Sequence, residues 1–151
     1  MASSHNLTVW RIVTRRFKDS AFNGEGAKVY GGRWNKKGIP IVYTAATQSL
    51  AMLEMLIQDE PLRAHYVMIP AHIPSQIEII HASSDASDTA FEFGTNWAKN
   101  NTTAVLIVPN AIIPSEKNYL LNPLHPDFHK IIIGQPADFI TDPRLLSKIT
   151  T

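Results

Sequence analysis

A single acid stands inside an apolar stretch. Glu54 is the only ionisable side chain between Gln48 and Asp59, at the end of Leu50-Ala51-Met52-Leu53-Glu54. A carboxylate in such surroundings costs several kcal/mol unless it is partnered or protonated. Two readings stand level on periodicity alone: a structural ion pair with Arg11 or Arg33 as the cation, and a reactive carboxylate. Arg33 lies in Gly31-Gly32-Arg33-Trp34-Asn35. Its planar guanidinium can grip a diphosphate or a carboxylate through paired hydrogen bonds, and glycines let a ligand come close to the backbone. By itself that block completes neither a dinucleotide fingerprint nor a P-loop, so its bland reading is a flexible turn with a solvated arginine. Tyr43 could set a flat ring against a heterocycle and its hydroxyl on a partner, although strand-end tyrosines more often serve a core or an edge.

Other reactive side chains carry less. His125 and His129 are four apart, but Pro126 intervenes and no glutamate stands beside them as in a zinc-protease helix, so no metal site is expected. Ser115 has no base nearby in sequence, and a hydroxyl in a proline-rich turn usually bonds the backbone, which leaves a serine hydrolase without support.

The elements that must position these residues follow from pattern. Thr8 to Val13 alternates as a strand, with Val9, Arg11 and Val13 on one face and Trp10 and Ile12 on the other. Residues 14 to 38 are polar and hold five of the seven glycines, which predicts a long binding-type loop. Ile39 to Thr44 reads as a strand with Pro40 at its start. Thr47 caps a helix from Gln48 to Gln58, with Leu50, Leu53, Glu54 and Ile57 on one side and Met52, Met55 and Leu56 on the other, so burial nearly all round is expected.

Further on, Tyr66 to Ile69 and Ile77 to Ile80 read as strands separated by Pro70 and Pro74, and Asp88 as the cap of a helix through Lys99. Brief strands are expected at Ala104 to Val108, Ala111 to Ile113, Tyr119 to Leu121, Lys130 to Ile133 and Asp138 to Thr141. Asp142-Pro143 opens a last helical turn. No repeat, low-complexity tract or linker marks a boundary. The expectation is one α+β domain with a strand-rich core and two or three helices.

Composition narrows the class. At 151 residues and 44% hydrophobic content the chain can bury a core without a staple. The absence of cysteine excludes disulfides, thiolate metal sites and a cysteine nucleophile. A formal charge of +1 with no basic run beyond Arg15-Arg16 and Lys36-Lys37 argues against direct nucleic-acid binding. No apolar run approaches a membrane span, and the first residues lack the regions of a signal peptide, so a soluble cytoplasmic protein is expected.

Several blocks in order carry a resemblance: Trp10-Arg11-Ile12, Gly32-Arg33-Trp34-Asn35, Gly38 through Ala45, Leu50 through Glu54, Val108-Pro109, Asn118 through Pro123 and His125-Pro126. Together, and with the closing Asp142-Pro143-Arg144-Leu145, the set resembles the RES domain family, the toxin halves of RES-Xre toxin-antitoxin pairs. The resemblance implies a short tail over residues 1–7, a RES domain over 8–151, and a fold similar to ADP-ribosyltransferase toxins. It also implies degradation of NAD+, with nicotinamide released by phosphorolysis or hydrolysis. NAD+ is then substrate rather than cofactor, inorganic phosphate is a candidate co-substrate, and no metal is needed.

Carried over by position, the catalytic residues are Arg33, Tyr43 and Glu54, and the substrate-binding set is Arg33, Tyr43 and Asn110, to which Arg11 is added as a second cation for the diphosphate. Asn110, in Val108-Pro109-Asn110-Ala111, stands where the family has serine. An Xre-type antitoxin and a homodimer within the toxin-antitoxin complex are the implied partners. The alternatives are an NAD-binding module with weakened turnover, for which Asn110 is the motive, and an ADP-ribosyltransferase acting on a protein.

Overall fold

Strand β1 (Leu7–Thr14) runs through the middle of an eight-stranded sheet and carries Arg11 at its centre. In this computed structural model residues 7–58, 65–83 and 89–145 are described. β1 pairs along its whole length with β3 (Tyr66–Ile73), from Leu7 opposite Ile73 to Thr14 opposite Tyr66. On its other side it meets β2 (Val42–Ala45) at Trp10 and Ala45. The sheet order is β4 (Ile79–His81), β5 (Val105–Pro109), β6 (Lys117–Leu121), β2, β1, β3, β7 (Ile132–Ile133), with β8 (Ala137–Phe139) also on β3. Only β4 and β5 are parallel; every other pairing is antiparallel. The tail implied for residues 1–7 gives up Leu7 to β1, and residues 1–6 lie outside the described residues.

Helices cover the sheet in patches. α3 (Ala90–Lys99) sets Trp97 and Ala98 in a cluster with Trp34, Ile41, Leu106, Val108 and Leu120. α2 (Gln48–Gln58) sets Leu50 and Ala51 against Ala45 and Met68, with Trp10 and Ile12 beside them. A third cluster joins Val9, Val42, Ala71, Ile73, Val105 and Leu121, so the central strands are buried on both faces and read as near-continuous apolar runs. The result is the expected α+β domain with a strand-rich core and three α-helices among the described residues.

The differences from expectation have local causes. Residues 14 to 38 are not one loop: they hold a 3-10 helix (Arg15–Ser20) and α1 (Glu25–Tyr30). α1 is bounded by Gly24 and Gly31, both at φ 75°, a left-handed backbone that glycine adopts without penalty. β3 passes straight through Pro70, which faces the gap between β7 and β8, where a missing N–H breaks no ladder bond and its carbonyl accepts from Gly134 N at 2.8 Å.

The strand expected at Ala111 to Ile113 is a turn, because the Asn110 side chain takes the N–H groups of Ile112 and Ile113, both at 2.8 Å. Lys130 belongs to a 3-10 turn (Phe128–Lys130) before β7. α2 has the expected bounds, with Thr47 Oγ1 accepting from Leu50 N at 3.1 Å as its cap. It is not buried all round, since Ile57 is 63% exposed. Asp88, the expected cap of α3, lies outside the described residues. The last turn, at 143–145, starts as expected, with Asp142 Oδ1 accepting from Arg144 N at 2.9 Å.

Candidate active site

Arg33 is presented on a tight turn whose every neighbour is fixed. Gly32 and Asn35 form a small bridge, with Gly32 N donating to Asn35 O at 3.1 Å. Asn35 is completely buried, and its amide donates to the carbonyls of Ala27, Lys36 and Ile39 at 2.9, 3.1 and 3.0 Å. Its Oδ1 accepts from the Tyr43 hydroxyl at 2.6 Å, and that hydroxyl in turn accepts from Trp34 N at 3.0 Å. From behind, α3 clamps the turn: a Cβ on Gly94 would lie 2.0 Å from Trp34 O, Thr95 Oγ1 accepts from Lys36 N at 3.0 Å, and Phe93 meets Trp34 edge-on. The backbone is held while the Arg33 side chain itself is exposed and makes no bond to the described residues.

Tyr43 is therefore committed to the turn through its hydroxyl, while its half-buried ring lines the cleft in front of β1 and β2. Burial pushes the phenol up to about 12 against a smaller opposing effect of the Trp34 N–H, so it stays protonated and donates to Asn35.

Glu54 projects from α2 into the same place. Among the described residues it meets no cation: Asn110 Nδ2 donates to its Oε2 at 2.9 Å and Asn118 Nδ2 donates to the same oxygen at 3.0 Å. The ion pair with Arg11 or Arg33 raised by the sequence does not form, because two amides fill that need. Burial raises the Glu54 carboxyl above its ordinary value, and the bonds from Asn118 and Asn110 partly oppose that rise.

Arg11 lies at the floor, with Nε donating to Ala21 O at 2.7 Å and Nη1 to Tyr43 O at 2.9 Å. Burial brings it down to about 10, which still leaves it cationic at neutral pH.

These side chains surround one cleft with two lobes. The larger, of about 880 Å³, runs between α1 and α2 and is lined by Arg11, Tyr43, Glu54, Phe17, Tyr30 and Met55 among others. The smaller, of about 360 Å³, adds Arg33, Trp34 and Asn118 to the shared wall of Arg11, Tyr43 and Glu54. The four residues expected at the site from sequence, apart from Asn110, thus meet around this wall. Asn110 is 2% exposed and stands behind Glu54 with all four of its amide hydrogen-bonding positions used within the chain. Two arginines with no acidic partner among the described residues, beside an ionisable carboxylate and a flat ring, suit an anionic substrate that carries a planar base.

Asn118 and Asn35 were not among the residues singled out from sequence. Asn118 shares the buried side of β6 with Leu120, whereas Asn35 sits beside buried Trp34 in a turn whose other residues are largely exposed; a buried amide implies a specific partner. Among the described residues no cluster of His, Asp or Glu could hold a metal, and His125 instead accepts the N–H of Asp127 at 2.9 Å. No described helix is long and apolar enough to cross a membrane.

The class of this α+β domain, with a half-buried carboxylate and an exposed turn arginine lining one cleft, follows from comparison with known proteins. The chain belongs to the RES domain family, whose family model matches residues 8–142. It is 38% identical to Toxin Res of Yersinia enterocolitica, over 92% of this chain and 99% of that one. It is 34% identical to the Prs ADP-ribosylating toxin of a Sphingobium species, over 92% of this chain and 96% of that one. Among solved structures it superposes on a chain of the M. tuberculosis MbcT-MbcA toxin-antitoxin complex with a TM-score of 0.67, at 18% identity, over 96% of this chain and 89% of that one. That last likeness is one of fold.

Proposed function

We propose that this protein is the toxin of a toxin-antitoxin pair and that it consumes NAD+ by cleaving the bond between nicotinamide and ribose. The observation that carries the reading is Glu54: a half-buried carboxylate that meets no cation among the described residues, set across one cleft from Arg33. As the C–N bond breaks, its electron pair leaves with the nicotinamide nitrogen as a neutral base, and positive charge develops on the ribose. A fixed carboxylate stabilises that charge or holds a ribose hydroxyl. Phosphate or water then supplies the oxygen that bonds to the sugar, and water gives up its proton to solvent. Arg33 and Arg11 hold the diphosphate, and the Tyr43 ring faces a base. Asn110 acts on Glu54 rather than on the substrate, so its presence in place of serine is compatible with turnover. Partners follow from the same reading: an Xre-type antitoxin that covers the cleft or the Arg33 turn, and a homodimer within that complex, in the cytoplasm.

Purified protein incubated with NAD+, with and without phosphate, should release nicotinamide, and Glu54→Ala and Arg33→Ala should each lose most of that release. Unchanged turnover in both variants would end the assignment. A second reading, transfer of ADP-ribose to a protein, draws on the name of the Sphingobium relative and on the breadth of the larger lobe. Mass spectrometry of cell proteins for added ADP-ribose distinguishes it.

A further inference from the structure

Two asparagines from different strands aim their amides at one oxygen of one carboxylate. The chain around them dictates that aim. Asn110 Oδ1 accepts the N–H groups of Ile112 and Ile113, which can only donate, so its amide nitrogen must turn the other way, toward Glu54 Oε2 at 2.9 Å. Asn118 Nδ2 donates to the carbonyl of Thr44 at 3.1 Å, which can only accept, so the same nitrogen also reaches Glu54 Oε2, at 3.0 Å. The two amides are themselves linked, Asn110 Nδ2 donating to Asn118 Oδ1 at 2.8 Å. Every orientation in this circuit is fixed by backbone at its ends, and each amide hydrogen has an acceptor.

We propose that Asn110 and Asn118 are positioning residues that lock Oε2 of Glu54 and reserve Oε1 for the substrate. The proposal rests on the reading of Glu54 as the reacting carboxylate, and it assigns the task of orienting it. Two converging donors favour an acceptor-only oxygen; a proton on Oε2 would meet two N–H groups head-on. The circuit therefore favours the ionised form, against the burial that raises the carboxyl. It also fixes the rotamer, because Oε2 is held from β6 and from the end of β5 at once. The same cleft wall carries Arg11 from β1, Tyr43 from β2, Tyr66 from β3, Glu25 and Tyr30 from α1 and Arg33 from the turn, while the hydrogen bonds to Glu54 among the described residues come from the two amides. The amides are thus its direct partners, and the arginines act on it only through space.

The experiment reads protons and rate separately. Carboxyl carbon resonances of glutamate and side-chain amide resonances of asparagine are followed by NMR through a pH titration of the wild-type protein. The Asn110 and Asn118 amide signals should shift with the same midpoint as Glu54, and amides that do not follow Glu54 would overturn the proposal without any variant being made. In Asn118→Leu and Asn110→Ser the Glu54 midpoint should move to higher pH. The acid limb of the kcat profile for nicotinamide release should move with it, while KM for NAD+ changes less than threefold and kcat falls about tenfold. A Glu54 midpoint unmoved in both folded variants would contradict the lock even if NAD+ turnover is confirmed. A moved midpoint with no NAD+ turnover in wild type would leave the lock standing and remove the substrate.

Discussion

The turn that carries Arg33 and the helix that carries Glu54 face one cleft but are built in opposite ways. Around the turn, polar groups are closed on each other: Asn35 is saturated by three carbonyls and a phenol, and Gly94 leaves Trp34 no room to move. Along α2, packing is one-sided, with Leu50, Ala51 and Met55 buried and Ile57 63% exposed, and a half-buried carboxylate meets no cation among the described residues. Behind the arginine the polar circuit closes without touching the guanidinium, whereas at the acid it ends on one carboxylate oxygen and leaves the other open. The arrangement fits a site in which the binding cation needs a rigid base, whereas the reacting group must keep capacity for its substrate.

Substitutions can break that contrast. Gly94→Ala should have the largest effect, since its new Cβ would lie 2.0 Å from Trp34 O and 2.8 Å from Trp34 Cβ, and backbone cannot yield. A loss of about 3 kcal/mol or more is expected, read as a fall in Tm of about 6–12 °C or as insoluble protein. Asn35→Ala should follow at about 2–3 kcal/mol in denaturant titration, because it removes every side-chain bond of a fully buried amide and takes from the Tyr43 hydroxyl its acceptor. Tyr43→Phe removes the acceptor of Trp34 N–H and the donor to Asn35, for about 1–2 kcal/mol, and should raise KM for NAD+ by loosening the Arg33 turn. Thr47→Ala tests the other element and should lower stability by about 1 kcal/mol through loss of the helix cap. Arg33→Ala should change stability least, within about 0.5 kcal/mol, while abolishing most turnover. A strongly destabilised Arg33→Ala would erase the distinction between the turn and what it carries.

Much of this architecture was legible in the residues. Helix α2, its Thr47 cap and the placement of Glu54 follow from periodicity and a capping hydroxyl, both local signals. The family resemblance points to Arg33, Tyr43 and Glu54 and the need for a second cation to Arg11, and β1, β2, α2 and the Gly32–Asn35 turn bring the four to one wall. What local pattern could not supply was tertiary. Pro70 reads as a strand break, but the gap between two short partner strands absorbs it. α1, over Glu25–Tyr30, has a glycine at its second position and one at each flank, so composition spoke for a loop. Asn110 looked like a substitute for a catalytic serine, whereas its neighbours at 112, 113 and 118 turn its amide onto Glu54, a consequence of β5 and β6 lying side by side.

Burial raises the Glu54 carboxyl, so its ionised form is disfavoured by folding and contributes no stability at neutral pH; a reaction that needs that form should lose rate as pH falls through a midpoint above the ordinary glutamate range. Glu54→Gln keeps an oxygen for the two amides and removes the charge. The decisive measurement is nicotinamide release from NAD+ by folded Glu54→Gln, beside wild type, with Tm recorded on the same samples. Release lost by about a hundredfold or more, with a Tm equal to or above wild type, is predicted. Release retained with a lowered Tm would mean that the carboxylate serves the fold and not the chemistry.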